Sequence, residues 1–446
     1  MGIAEQSARL YLWTLTLKLV QAATLFVSAH ILLDEGRGLI ALAYVIPNIL
    51  GIFGAFGVET AAAYFVNKEP GQARSTASTA LWSAFLLGGF WAALLALVNL
   101  QYPTILPESV TPVLRLVVLA QLPCALVLTL CASLFTQRRW FGRRYTLDIV
   151  RRVLNVGALV VIGLVLFPDA APIGLAEAIA WVHLVVSVSA MVAAIYLLRD
   201  WFSARPSWPM ARRLIGFGWP TSIAVSAMYL LHYGDQYLLA EFAEGNVVAL
   251  VGVYTTAFAL LDSIGGISRS IASVMFRVSV ETEEHESNRM VGEIGRRTAL
   301  LMCFLAGLAA LCAPLVVYML PPEFAAVVPL LQILLISAPL YAMSQIAEQA
   351  TVNRGRMLLA AWPALLALAA NFSLNIVLIP SYGAFGAAWA TVAGFALLLV
   401  GRLVILWHLA GRSTVFALFA LSSNDFAFLF TRLMEVGKRI VRRQAQ

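Results

Sequence analysis

Among the ionisable residues inside long apolar runs of this chain, nine are candidates for chemistry: Lys18, Glu59, Arg115, Glu177, Asp235, Asp262, Arg269, Glu348 and Arg402. A charge carried to mid-bilayer depth costs about 2.5–3.5 kcal/mol on insertion scales, so such groups face a wet cavity or a partner. Each also has a plainer use. Lys18 lies about two turns from Arg9 and can snorkel to a surface. Arg269 follows Asp262 by seven residues, two turns along one helix face, which suits an ion pair within the helix. Arg115 sits near a helix end, as interfacial anchors do, and Arg402 is close enough to a surface to snorkel. Asp235 is the acid best placed to brace a gate or bind a coupling cation, unless hydrogen bonds hold it in packing; Glu59 and Glu348 follow the same logic. His183 and His232 read as satisfied core histidines.

The elements that must position these groups are membrane-spanning helices. Hydrophobic residues make up 61% of the 446 positions and charged ones 12%, against about half and a quarter in soluble domains. Apolar runs long enough to cross a bilayer fall at 10–33, 40–66, 77–100, 112–136, 149–167, 173–197, 213–240, 247–275, 297–319, 327–350, 358–379 and 386–409. They are continuous rather than alternating, so helices are expected and barrel strands are not. The fold class is therefore an all-α polytopic membrane protein with about twelve transmembrane helices. No small-residue cleavage site follows the first run, which is expected to be retained as a span. Cys124, Cys131, Cys303 and Cys312 lie within apolar runs without a CxxC pair and read as packed core thiols; no metal or cofactor pattern is present.

Basic residues alternate between successive breaks. Lys68 and Arg74, then Arg138, Arg139, Arg143 and Arg144, then Arg199, Arg205, Arg212 and Arg213, then Arg277, Arg289, Arg296 and Arg297, then Arg354 and Arg356 mark one side. Asp34, Glu35, Glu108, Asp169, Glu241, Glu244 and Glu323 mark the other, with Arg37 the only basic residue among them. The basic side is cytoplasmic, both termini lie there, and the net charge of +7 follows from topology rather than from nucleic-acid binding. Beyond the last span, residues 424–443 interleave Phe426, Leu429, Phe430, Leu433, Met434, Val436 and Ile440 with Arg432, Lys438, Arg439, Arg442 and Arg443, the pattern of a helix on an anionic leaflet.

The chain reads as two six-helix bundles, 1–205 and 206–411, followed by a cytoplasmic amphipathic basic tail at 412–446. Arg138 precedes Asn155 by 17 residues and Arg354 precedes Asn371 by 17; both pairs are offset by 216. Pro168 and the run Gly174-Leu175-Ala176 have counterparts in Pro380 and Gly386-Ala387-Ala388, and Ala43-Tyr44 in Val253-Tyr254. Six spans is an even number, so the halves share orientation about an axis normal to the membrane, with a central cavity expected between them and alternating access the natural motion.

The second half carries His232-Tyr233-Gly234-Asp235-Gln236-Tyr237-Leu238-Leu239, then Val251-Gly252-Val253-Tyr254, then Asn353-Arg354-Gly355-Arg356. Asn371 and Asn375 follow, with Leu378-Ile379-Pro380-Ser381-Tyr382-Gly383-Ala384-Phe385-Gly386-Ala387-Ala388-Trp389-Ala390-Thr391. This resembles the bacterial polysaccharide flippases of the multidrug/oligosaccharidyl-lipid/polysaccharide exporter superfamily, in hydropathy over nearly the whole chain and in motifs over 230–395. The amino-terminal half departs from it, with Phe53-Gly54-Ala55-Phe56-Gly57-Val58-Glu59 where the family has a glycine-bearing second span. The resemblance implies a non-enzymatic, cofactor-free transporter in the bacterial inner membrane that moves an undecaprenyl-linked oligosaccharide from inner to outer leaflet for cell-surface polysaccharide. Its implied partners are a polyprenyl-pyrophosphate-linked saccharide, membrane lipids and other polysaccharide-assembly membrane proteins. On that basis Lys18, Arg269 and Arg115 are the cations expected at phosphate, Asp235, Glu59 and Glu348 the gate or ion-coupling acids, and Tyr233 and Tyr254, with Tyr229 and Tyr237, the rings that stack on sugars or simply pack.

Two rivals stay open. A membrane glycan polymerase or ligase needs a catalytic outward loop, and every outward break is short; no Gly-x-x-x-x-Gly-Lys loop offers nucleotide hydrolysis. A cation-coupled multidrug exporter of the same superfamily would take up sodium or protons through Glu59, Asp235 and Glu348.

Overall fold

A computed structural model describes residues 3–102, 107, 109–167, 170–202, 205–280, 284–354 and 356–427. The helices are α1 (Ile3–Phe53), α2 (Val58–Lys68), α3 (Ala73–Gln101), α4 (Pro112–Gln137), α5 (Phe141–Val160), α6 (Pro172–Leu197), α7 (Trp208–Tyr233), α8 (Asp235–Phe242), α9 (Val247–Val280), α10 (Glu284–Val317), α11 (Val327–Leu335), α12 (Ser337–Asn353), α13 (Met357–Ala410) and α14 (Arg412–Ala417). No strand occurs among the described residues. The amphipathic stretch expected at 424–443 lies outside them from residue 428 onward.

Among the described residues ten segments are long and apolar enough to cross a membrane, and two of these, Thr16–Lys68 and Leu358–Ala410, have 53 residues each. At 1.5 Å per residue such a segment would run to about 80 Å, more than twice a hydrocarbon core. Each is broken near its middle, at Leu33 (φ 55°, ψ −167°) and at Gly383 (φ 54°, ψ −133°). Counting each as two gives twelve crossings. Gly383 takes the left-handed conformation freely; Leu33 is held there against the ordinary preference of an L side chain.

Proline at the first turn starts α4, α6 and α7, where its missing N–H is no loss. The exposed faces are greasy, with Leu100, Leu311 and Tyr318 79–89% exposed, as suits helices whose solvent is lipid. Cys303 and Cys312 fall on such a face of α10 beside Phe304, Leu308 and Leu311, which corrects their expected burial; Cys124 and Cys131 are buried in α4.

The chain forms two compact units. One comprises Met1–Ala259, Leu315–Leu330 and Phe372–Ala387; the other comprises Leu260–Pro314, Leu331–Asn371 and Ala388–Gln446. Within the first, α1 packs on α4, α5, α6 and α7, while α4 bridges α3 and α6. Its core includes Ala61, Phe65, Ala80, Leu130, Leu134, Phe135 and Leu214. Small residues let its backbones touch: a Cβ on Gly38 would stand 1.8 Å from the Val248 carbonyl oxygen, and one on Gly252 1.9 Å from that of Asp34. The second unit centres on Ala272, Val291, Ile346, Ala350, Leu406 and Leu418.

Candidate functional site

The break at Leu33 turns α1 back on itself, and Arg37 fastens the turn. Its Nη1 donates to the Leu25 carbonyl oxygen at 3.0 Å and to Ser28 Oγ at 2.5 Å, on the half-helix before the break. Arg37 thus lines the wall of a cavity rather than hanging free in a loop. The cavity, about 490 Å³, lies wholly within the first unit and is lined by Arg37, Tyr44, Asn48, Asn155, His183, Tyr229, Tyr233 and Gln236 among others. No carboxylate is among its lining residues, and Arg37 forms no ion pair among the described residues. Arg37 Nε and Asn155 Oδ1 are buried without a hydrogen-bond partner. Arg37 Nε and Asn155 Oδ1 thus give the lining of this hollow one donor and one acceptor without a protein partner.

A second hollow of about 400 Å³ shares Tyr44, Asn48 and Tyr229 with the first and adds Glu59, Gln121 and Thr129. The Tyr44 hydroxyl donates to the Gln121 amide oxygen, and Gln121 Nε2 donates to Ser187 Oγ at 3.0 Å, so this wall is a fixed polar network. Tyr229 and Tyr233, one turn apart on α7, hold their ring centroids 4.7 Å from each other. Both rings line the cavity. Tyr254 does not: it is fully buried and its hydroxyl donates to Asp235 Oδ2 at 2.8 Å, so no face is left for a sugar.

Asp235 opens α8 after the turn at Gly234 and is also fully buried. It accepts from Tyr254 and from Asn375 Nδ2, both at 2.8 Å, which makes it a knot tying α8 to α9 and to the Phe372–Ala387 segment of the same unit. Its neighbour Gln236, not Asp235 itself, reaches the cavity wall.

The remaining expected residues are placed elsewhere. Lys18 is half-buried and is not among the residues lining either hollow. Arg115 folds over a loop at the end of α4, donating from Nε to the Val110 carbonyl at 2.9 Å, from Nη1 to Asn99 Oδ1 at 3.2 Å and from Nη2 to the Pro107 carbonyl at 3.3 Å. It is an anchor and presents no fork to a phosphate. Glu177 accepts from the Thr111 hydroxyl at the start of α4. In the second unit Arg269 pairs with Asp262 at 2.8 Å and hydrogen-bonds Tyr341. Arg402 does not snorkel: it is 1% exposed, held by Glu348 at 2.9 Å and Ser344 at 3.2 Å. Glu348 and Arg269 are therefore each bound to an opposite charge. His232 is satisfied, its Nδ1 lying 2.7 Å from the Met228 carbonyl oxygen, whereas His183 stands on the cavity wall.

In the sequence Arg37 stands as a loop charge and Asn155 as a repeat landmark, and neither they nor Arg151 and Arg152 are among the expected site residues. Arg37 follows the acidic pair Asp34-Glu35 and so looked like a loop charge, and Arg151 and Arg152 were passed over inside an apolar run. An arginine pair within a span is itself a signal of an interior polar surface.

With broken spans and a polar, cation-bearing hollow in its first unit, the chain is built as a multi-pass helical membrane protein. Among solved structures the fold is similar to the lipid II flippase MurJ in an inward closed conformation (TM-score 0.66, 12% identity, 97% of each chain). It is also similar to a multidrug resistance MATE family transporter of the MOP superfamily in its inward-facing form (0.65, 15%, 91% of this chain and 96% of that one) and in an outward-facing form (0.61, 16%, 92% and 97%). Among curated proteins none matches the sequence significantly. The polysaccharide biosynthesis protein family matches residues 3–283, and the chain belongs to that family.

Proposed function

We propose that this protein flips an undecaprenyl-linked oligosaccharide from the inner to the outer leaflet of the bacterial cytoplasmic membrane, by alternating exposure of one site to the two sides, and that it performs no covalent chemistry. The observation that carries the proposal is the uncompensated Arg37 guanidinium, with the empty Asn155 oxygen, in a hollow of the region that the polysaccharide biosynthesis family covers. Arg37 meets an anionic group of the cargo, Asn155 and Gln236 meet hydroxyls, and the Tyr229–Tyr233 pair lies against a sugar ring. Lys18 serves as an entry cation on the cytoplasmic half of α1. Arg269, neutralised by Asp262, and Asp235, tied to Tyr254 and Asn375, hold the helices that move. Residues 1–205 and 206–411 are taken as the duplicated units, with both termini cytoplasmic.

The test is chemical and cellular: replace Arg37 or Lys18 by Gln and measure lipid-linked sugar in the inner leaflet and polysaccharide at the surface. Accumulation inside with loss outside is expected for Arg37→Gln. Unchanged surface polysaccharide in both variants removes the site. A second reading, cation-coupled drug export, draws on Glu59 at the wall of the smaller hollow and on the fold shared with the multidrug transporters. It requires a null mutant to be hypersensitive to cationic drugs and Glu59→Gln to reproduce that sensitivity.

A further inference from the structure

Helix α5 has two unlike faces. Val150, Val153 and Leu154 are 47–52% exposed on one side. Arg144, Asp148, Arg151, Arg152 and Asn155 recur at helical spacing on the other, which turns toward α1 and α6. Steps of seven and four residues put Arg144, Arg151 and Asn155 in one row. The face holds three guanidiniums against one carboxylate, and its ion pair among the described residues, Arg151 to Asp148, is stretched to 4.0 Å. Arg144 donates from Nη1 to Thr136 at 2.6 Å, but its Nε is buried without a partner. Arg152 Nε is buried without one too, although Asp148 acts on Arg152 electrostatically. Arg151 is within electrostatic reach of His183 on the cavity wall.

From Arg144 to Asn155 the helix rises about 16 Å, roughly half the hydrocarbon core. The row therefore runs from an arginine–tryptophan belt at the start of α5, where Arg138 and Arg143 lie 4.5 and 4.0 Å from the Trp140 ring, to the hollow that Arg37 lines. Snorkelling accounts for the first arginine of this face but not for those two turns further in, and packing accounts for paired charges but not for the Nε groups of Arg144 and Arg152, buried with no acceptor.

We infer that the inner face of α5 is a track for the phosphate-bearing head of a lipid, leading from the cytoplasmic end of the helix to Arg37 and Asn155. Diphosphate supplies the acceptors that the row lacks, and successive arginines hand it on without a deep trap. The direction of travel rests on the flippase reading; the binding itself does not.

The experiment uses the full chain in detergent micelles, titrated with a fluorescent short-chain prenyl pyrophosphate. Arg151→Gln with Arg152→Gln is expected to weaken binding by about tenfold or more and to flatten its salt dependence, while the Lys pair keeps most of the affinity because the charges remain. Val153→Gln on the lipid face is the control and leaves binding intact. Competition by inorganic pyrophosphate places the affinity in the head, and competition by phosphatidylglycerol vesicles extends it to lipid phosphate in general; either supports the track. Unchanged binding in a folded Gln pair, or the same loss from Val153→Gln, overturns it. If the Gln pair does not fold, Arg152→Gln alone decides by the same criteria. Surface polysaccharide is scored separately: weakened binding in an organism whose polysaccharide is indifferent to this protein keeps the track and removes the flippase, and the converse removes only the track.

Discussion

Removing Glu348 is expected to damage the second unit far more than removing Glu348 and Arg402 together. Arg402 is 1% exposed and its counter-charge is Glu348 at 2.9 Å, with Ser344 at 3.2 Å as a neutral support. In Glu348→Gln the guanidinium stays buried with its partner's charge gone, a change that costs about 3–5 kcal/mol where a buried pair is broken. Even the lower figure multiplies the unfolded fraction by about 100-fold or more, at about 1.4 kcal/mol per decade. Replacing both residues by apolar ones of similar volume, Glu348→Leu with Arg402→Met, removes the stranded charge and is expected within about 1 kcal/mol of the parent. The assay is equilibrium unfolding in mixed micelles, with Glu348→Gln measured beside a double-mutant cycle whose single corners are Glu348→Leu and Arg402→Met. A coupling of about 2 kcal/mol or more supports the buried pair. Additive losses, or a Glu348→Gln protein as stable as its parent, would show that Arg402 reaches water after all.

Other outcomes follow from separate features. Asp425 is buried and accepts from Arg296 Nε at 2.5 Å, Arg297 Nε at 3.2 Å and Ser422 Oγ at 2.8 Å. The Arg296 hydrogen bond, then those of Ser422 and Arg297, hold its carboxyl well below the ordinary carboxylate value. A depressed folded-state pKa stabilises fully above the unfolded value and fades only as pH falls through the lowered one, so the Asp425 clasp should be flat from about pH 5 to 8. Asp425→Asn should loosen α14 at every pH, read as faster amide exchange over 412–425. Gly252→Ala sets a methyl 1.9 Å from the Asp34 carbonyl oxygen, so α1 and α9 must separate, with an overpacking penalty of about 1–3 kcal/mol in unfolding experiments. A membrane-permeant maleimide should label Cys303 and Cys312 in the folded protein and reach Cys124 and Cys131 only on unfolding; early labelling of Cys131 would contradict the packing of α4.

The spans were legible because lipid demands about 20 apolar residues per crossing, and no tertiary detail alters that demand. Even the two 53-residue segments were divided correctly in the sequence, since Asp34-Glu35 and Ser381-Tyr382-Gly383 interrupt the hydropathy where the backbone breaks. The Asp262–Arg269 pair was likewise legible, because seven residues bring two side chains onto one face. The chemistry of the hollow was not. Whether Arg37 hangs outward or folds back to Leu25 depends on the direction of the break at Leu33, which no local pattern encodes. Arg402 was misjudged by depth alone, since its partner Glu348 lies 54 positions away on another helix. Tyr254 looked like a sugar platform because spacing gives the depth of a ring and not its neighbours.

The most direct measurement reconstitutes the purified chain in liposomes loaded on one leaflet with a fluorescent undecaprenyl-pyrophosphate oligosaccharide and follows its arrival on the other. The parent protein is expected to raise the rate far above that of empty liposomes, and Arg37→Gln to cut it by about tenfold or more. Translocation by Arg37→Gln at the parental rate, or none by the parent, contradicts the assignment of this hollow as the cargo site.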